Sequence, residues 1–314
     1  MNQLRKQDDL WSIILAGGEG ERLRPLMQRW LGQHKPKQYC TFIGTRSMLQ
    51  HTLDRADQIS DPKQKVTVIA RSHRGHAWPQ LARRKNGKVI LQPANRDTAG
   101  GIFVALSYVR ALDPQATVVI YPSDHFVHPE YRFVETVRSA AYAARQLKHW
   151  LFLLGVSPDR LEPEYGWIRP GTYLGSIMGH QLRGVQSFLE KPSYKKCAAA
   201  LASGALWNTL ILAAKAETLW NLGQRCFPEM MRLFEIYSEA IGTSEEDSVL
   251  ETVYQVMPAR NFSSHLLECV PDEIAVMELS GVLWCDWGRP ERIVETLRRL
   301  GKPPAFPLAN AAAG

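Results

Sequence analysis

The residues that could do chemistry begin where a short apolar run, residues 12–15, leads straight into Ala16, Gly17, Gly18, Glu19, Gly20, Glu21 and Arg22. Glycines at that spacing let backbone N–H groups turn toward a polyphosphate, because any Cβ would block close approach. Two cations accompany them, Arg22 in the turn itself and Lys37 after Pro36. A guanidinium and an ammonium beside such a turn would neutralise phosphate oxygens and the charge that builds as pyrophosphate departs. Two familiar phosphate cradles fail on residues. The P-loop needs Gly-Lys-Ser/Thr at fixed offsets, which is missing. The dinucleotide fingerprint needs a third glycine where Leu23 stands and an acidic residue after the second strand, where Arg71 stands. The plainer alternative is a surface turn with solvated charges.

The text LAGGEGERLRPL followed by HKPKQY resembles the signature of the sugar nucleotidyltransferase family, a G-x-G-x-R segment with Pro-Lys further on. Its positions here are Gly18, Gly20, Arg22, Pro36 and Lys37. The resemblance continues through Gln92-Pro93-Ala94-Asn95-Arg96-Asp97-Thr98-Ala99, similar to the stretch that reads the base, and through Pro122-Ser123-Asp124-His125. Tyr165-Gly166-Trp167-Ile168, Phe188-Leu189-Glu190-Lys191-Pro192, Leu206-Trp207-Asn208-Thr209 and Trp284-Cys285-Asp286-Trp287-Gly288 follow in family order. Together these segments span nearly all of residues 11–300. The PKQ, RDTA and LWNT segments are most similar to the mannose-1-phosphate guanylyltransferases within that family.

The resemblance implies transfer of a nucleotidyl group from a nucleoside triphosphate, GTP by preference, to a hexose 1-phosphate, preferentially mannose 1-phosphate, with release of pyrophosphate. It assigns the nucleotide to Leu15, Gly17, Gly18, Gly20, Arg22, Gln92, Asn95, Arg96 and Thr98, and the sugar to Gly166, Glu190, Lys191 and Asn208. Arg22, Lys37, Asp124 and Lys191 are then the catalytic charges. Asp124 and Asp286 would hold Mg²⁺, which prefers one or two protein carboxylates and fills its octahedron with phosphate and water oxygens. An isolated loop Asp more often caps a helix, and a lone Lys191 is more often a solvated cation. Gln92 occupies a place often held by Glu in the mannose enzymes, and Gly100-Gly101 replaces a more usual Pro-Ala. Both departures bear on the choice of base. The rival readings are a non-catalytic sugar-nucleotide-binding regulatory homologue and a nucleotidyltransferase for another pair of nucleoside triphosphate and hexose 1-phosphate. A metal-dependent glycosyltransferase would carry an Asp-x-Asp triplet, and the chain contains none.

These residues need a frame to position them. Residues 12–15, 66–70, 89–92 and 118–121 are Val- and Ile-rich runs of the kind that form parallel strands buried on both faces. Residues 48–59 and 98–112 carry apolar positions near a 3.6-residue period. The alternation predicts a single Rossmann-like α/β domain over residues 1–302, with a mixed, mostly parallel sheet flanked by helices. Its nucleotide-binding half is expected at about 11–150. Its sugar-binding half, at about 151–302, contributes a β subregion (strands at 151–156 and 181–189 around a Pro/Gly-rich stretch, 158–171) and the second metal ligand. Helical patterns follow at 194–202, 216–237, 246–256 and 290–300, and residues 303–314 read as a loosely ordered tail.

Of the 314 residues 45% are hydrophobic, enough for a large buried core. The net charge of +7 suits an anionic partner, but the cations are dispersed rather than collected in a stripe, which argues against nucleic acid. Five scattered cysteines without zinc-ligand spacing fit reduced thiols. No apolar run approaches the roughly 18 residues of a membrane span, and residues 1–10 lack a signal-peptide core, so no membrane partner and a cytoplasmic location are expected. A homodimeric state stays open.

Overall fold

The computed structural model describes residues 9–82 and 84–307. In chain order the regular elements begin with β1 (Leu10–Ala16), α1 (Arg24–Leu31), α2 (Met48–Asp57), β2 (Lys65–Ala70), α3 (Arg74–Leu81), β3 (Lys88–Gln92) and α4 (Asp97–Leu112). Next come β4 (Thr117–Pro122), β5 (Phe126–His128), α5 (Glu130–Gln146), β6 (Leu151–Val156), β7 (Gly166–Ile177), β8 (His180–Glu190) and α6 (Tyr194–Ala202). The last are β9 (Leu206–Lys215), α7 (Ala216–Cys226), α8 (Pro228–Ala240), α9 (Glu246–Val256), β10 (Ile274–Glu278), β11 (Leu283–Cys285) and α10 (Pro290–Arg299).

A nine-stranded mixed sheet forms the middle layer, in the order β3-β2-β1-β4-β9-β6-β10-β8-β7, with a further β7–β9 pairing. The first four strands are mutually parallel, as their continuous apolar runs require. β1 has β2 on one side and β4 on the other, so the chain reverses its direction of travel across the sheet at β1. Ligands bind at such switch points in open α/β sheets, outside the carboxyl ends of the strands. Alternation within β1 sends Ile13 to a core with α4, α7 and α8 and sends Ile14 to a second core with α2 and α5. No helix among the described residues is long and apolar enough to cross a membrane.

Two features bring distant segments to the carboxyl ends of these strands. β9 inserts antiparallel between β4 and β6, which carries residues 206–208 beside the start of β7. A separate two-stranded ribbon pairs β11 with β5, with Cys285 opposite Phe126. That register sets the residue after β11 next to the loop that follows β4.

Three expectations change. The pattern over 216–237 is two helices, because the residue before a proline is disfavoured in the α region: Phe227 lies at φ −134° and Pro228 starts α8. The Pro/Gly-rich stretch gives way to β7 at Gly166, within its expected bounds. The tail is tied down as far as it is described. Phe306 is buried against Trp30 and Phe42, and the Ala305 N–H donates to the Phe42 carbonyl at 3.2 Å. Residues 308–314 lie outside the described residues. Phe306→Ala should cost about 3 kcal/mol, the lower range for truncating a buried phenylalanine. A urea titration checks it, and an unchanged midpoint would mean that this packing contributes nothing.

Candidate functional site

The turn after β1 is built from both directions. The Gln38 side-chain amide donates to the carbonyl oxygens of Ala16 (3.0 Å) and Gly18 (2.8 Å), and the Tyr39 hydroxyl donates to Ala16 at 2.9 Å. Because the N–H and C=O of a trans peptide point opposite ways, anchoring the carbonyls fixes where the amides face. Each glycine has a distinct reason. A Cβ at Gly17 would lie 2.7 Å from Gln92 Oε1, Gly20 sits at φ +66° against the Lys37 backbone, and Gly18 borders open space. The turn opens on a cleft of about 330 Å³ whose lining includes Leu15, Gly17, Gly18, Gln92, Asn95, Thr98 and Asp124. Seven residues selected from sequence thus share one cavity.

A cavity of similar size, about 340 Å³, lies on the far side of His125 among Phe42, Met48, Arg55, Phe126 and Trp287. It contains none of the glycine turn, and the first cleft is the candidate site.

Lys37 is the junction between the cleft and the ribbon. Its side chain is only 6% exposed, and its ammonium meets Asp124 Oδ2 at 3.0 Å and donates to the Asp286 carbonyl oxygen. Partial burial works to raise the Asp124 pKa, yet Lys37 and His125 outweigh it and hold the carboxyl below its ordinary value. Asp286 is buried too. Lys37 and Arg292, with hydrogen bonds from the Tyr165 hydroxyl (2.7 Å) and the Gly288 N–H (2.9 Å), overcome that burial and hold the acid well below the usual range. Burial pushes the His125 imidazole below its ordinary value, against the fields of Asp124 and Asp286.

Arg22 takes a position the sequence did not indicate. Its Nη1 donates to Glu164 Oε2 at 2.9 Å and its Nη2 to Asp286 Oδ2 at 3.2 Å. Glu164 also accepts from Arg289 Nε (3.1 Å) and Arg292 Nη2 (2.7 Å). Arg96 does not reach the cleft either. Its guanidinium donates to the carbonyl oxygens of Tyr254 and Gln255, which docks the end of α9 onto the start of α4.

The residues expected at the sugar converge around the start of β7. Gly166 pairs with Glu190 across β7 and β8. A Cβ there would meet Glu190 Oε2 at 3.0 Å and the Asn208 Cβ at 3.2 Å. Burial raises the Glu190 pKa against the nearby Lys191, whose Nζ lies 3.4 Å from Glu190 Oε1. Lys191 is solvent-exposed at φ +46°.

Sequence reasoning missed Gln38, Tyr39, Asp97, Glu164, Tyr165 as a partner of Asp286, Leu210 and Arg292. Gln38 and Tyr39 directly follow Lys37, so adjacency was a usable signal. Glu164 and Arg292 had none, since a part-buried ion pair between residues 128 positions apart leaves no pattern in a single sequence.

The residues suit a divalent cation. Asp124 Oδ1 accepts no hydrogen bond among the described residues, and His125 Nε2 lies 3.7 Å from it. Asp286 Oδ1 accepts from three donors, whereas Oδ2 has Arg22 alone among the described residues. Gly288 keeps the approach to that oxygen open, because a Cβ there would fall 2.4 Å from it. Asp124 and Asp286 thus each offer one oxygen, in keeping with the one or two carboxylates Mg²⁺ takes.

The family model described as nucleotidyl transferase matches residues 11–302. The chain is 34% identical over 212 residues to the xanthan biosynthesis protein XanB of Xanthomonas campestris pv. campestris (strain ATCC 33913), covering 67% of this chain and 43% of that protein. It is 29% identical over 232 residues to mannose-1-phosphate guanylyltransferase 2 of Escherichia coli O157:H7, covering 71% and 47% respectively. The chain therefore aligns with less than half the length of these curated relatives. Among solved structures, one described as mannose-1-phosphate geranyltransferase from Thermus thermophilus superposes with a TM-score of 0.76 at 26% identity, covering 89% of this chain and 76% of that one.

Gly288→Ala should force Asp286 and Arg22 apart and destabilise the fold by about 1–3 kcal/mol, as overpacking does. A urea midpoint equal to that of the unaltered protein would refute the crowding. The depressed Asp286 pKa also sets a pH dependence. Such a group contributes stability above its ordinary value of 3.8 and loses it as pH falls through the lower folded value. The urea midpoints of the unaltered protein and Asp286→Asn should therefore draw together on acidification below about pH 4, and a constant gap would contradict the assignment.

Proposed function

The chain belongs to the nucleotidyl transferase family, and on that premise we propose that it joins a hexose 1-phosphate to a nucleoside triphosphate with release of pyrophosphate. The observation that carries this reading is the buried Lys37 ammonium between Asp286 and Asp124, the latter lining the same cleft as the glycine turn. Mannose 1-phosphate and GTP are the preferred pair. The name of the Escherichia coli relative and the PKQ, RDTA and LWNT segments support that choice.

The nucleophile needs little activation, since a phosphate monoester with a second pKa of about 6 is already mostly dianionic at neutral pH. Placement and charge neutralisation remain. The glycine turn seats the triphosphate, while Gln92, Asn95 and Thr98 border the nucleotide. Gly166, Glu190 and Asn208 orient the hexose, and Lys191 draws its phosphate toward the α-phosphorus. Lys37 lowers the repulsion between the two anions, and Arg22 stabilises the leaving pyrophosphate. Asp124 and Asp286 would hold Mg²⁺, which supplies Lewis-acid neutralisation of the phosphate oxygens when bound. The alternative is a sugar-nucleotide-binding regulatory protein, favoured by one observation: Arg22 is engaged with Glu164 and Asp286 rather than lining the cleft.

One assay separates the two readings. The protein is incubated with Mg²⁺, each of the four nucleoside triphosphates and a panel of hexose 1-phosphates, and pyrophosphate is measured. Release is expected with GTP and mannose 1-phosphate; silence with every pair, alongside tight nucleotide-sugar binding, would replace the enzyme reading with the regulatory one. Lys37→Ala and Asp124→Ala should each lower turnover about a hundredfold, the effect of losing one preorganised charge worth about 3 kcal/mol. Near-normal turnover in a folded Asp124→Ala protein would remove that residue from the mechanism.

A further inference from the structure

Asp286 Oδ2 has one partner among the described residues, Arg22 Nη2, and that arginine is half exposed on a short helical turn, residues 21–23. The other carboxylate oxygen is fixed by three donors, so Asp286 cannot rotate to offer a different atom. Gly288 leaves room on the Oδ2 side, and the would-be Cβ of that glycine contacts both Asp286 Oδ2 and the Arg22 guanidinium. One carboxylate oxygen therefore has space for one cationic partner at a time.

We infer that Arg22 and a divalent cation are alternative partners of Asp286 Oδ2, with Glu164 holding the arginine in the first position; this rests on the proposed function of the site. The cleft's triphosphate would draw the guanidinium away from Asp286 and Glu164, and the same movement uncovers the metal-ligating oxygen. Arg22 leaves without stranding Glu164, because Arg289 and Arg292 remain hydrogen-bonded to that carboxylate. Asp286 likewise keeps Arg292 and Tyr165. The exchange thus strips no buried acid of all its partners, the condition that makes breaking an ion pair costly. Nucleotide and metal would then arrive together, since each completes what the other needs.

Mn²⁺ serves as the probe, with free Mn²⁺ followed by electron paramagnetic resonance in the full chain without nucleotide. Arg22→Ala, and Arg22→Gln as a second variant that retains side-chain length, should bind Mn²⁺ at least about fivefold more tightly than the unaltered protein, the lower range for coupled sites. Adding Asp286→Asn to either should abolish the gain. Arg289→Gln is the control for a general loss of positive charge: it removes a cation bonded to Glu164 that makes no hydrogen bond to Asp286, and should change Mn²⁺ affinity by less than about twofold, as expected of an exposed, screened charge. Equal tightening in Arg289→Gln, or none in either Arg22 variant, overturns the inference. Pyrophosphate release is scored separately on the unaltered protein. Release with no Mn²⁺ gain in the Arg22 variants defeats the exchange and leaves the activity standing. A Mn²⁺ gain without release under any substrate pair defeats the activity and keeps the competition for Asp286.

Discussion

The site depends on a buried ammonium placed where two acids meet. Pairing β11 with β5 delivers Asp286 from near the end of the chain to the loop after β4, beside Asp124. Each acid works against the ionisation of its neighbour: the field of Asp286 opposes the charge on Asp124. Lys37 reverses the balance because it touches both residues from a nearly solvent-free position. A low-dielectric setting strengthens that attraction, and removing one partner would leave a charge that water cannot reach. The glycine turn is coupled to the same point. Gly20 packs on the Lys37 backbone, and Gln38 and Tyr39, the next two residues, hold the carbonyls of the turn. The glycine turn and the acid pair are therefore two sides of one short stretch of chain.

Backbone strain clusters around the same cleft. Of the five non-glycine residues with positive φ among the described residues, Asp97, Lys191, Leu210 and Trp287 lie at the cleft or next to the residues assigned to the sugar and metal, whereas Met178 is at the far end of the β7–β8 hairpin. A non-glycine residue in that region costs on the order of 1–3 kcal/mol and persists only where its surroundings over-determine it. The surroundings here do so. The Asp97 N–H donates to Asn95 Oδ1, the Leu210 N–H to Asn208 Oδ1 and the Lys191 N–H to the Tyr165 carbonyl, while Trp287 stacks on Phe126 at 4.6 Å. The positions of Asn208 and Lys191 are thus set by backbone geometry as much as by side-chain packing.

Much of this architecture was legible in the sequence because it is local. The strands β1 to β4, the helices α2 and α4, and the glycine turn follow from apolar period and from the absence of Cβ atoms, and the structure places them within a few residues of their expected bounds. Local reading failed where the determinant was long-range or ambiguous. α5 was not anticipated, although its buried face carries Phe133, Val134 and Val137 beside Ala140, Ala141, Ala143 and Ala144. Arg96 sits in a motif that suggests a ligand contact, yet its role is decided by α9, some 150 residues later, whose terminal carbonyls it satisfies. Glu164 and Arg292 become meaningful only once β11 is paired with β5, and pairing between segments so far apart has no signature in a single sequence.

The charges of the site explain why an anion and a cation belong together there. Arg22, Lys37, Arg289 and Arg292 face Asp124, Asp286, Glu162 and Glu164, so four cations meet four anions. A cluster balanced in this way has little field to spare for a polyanion. A triphosphate and a sugar phosphate could both enter only if the protein's own cations exchanged acidic partners for phosphate oxygens. The acids they left behind would then need a new counter-charge. A divalent cation held by the two acids would supply it and restore neutrality without adding another buried side chain. The acids that hold the arginines and the acids suited to the metal are therefore one set, with a single charge balance to satisfy before and after substrates arrive.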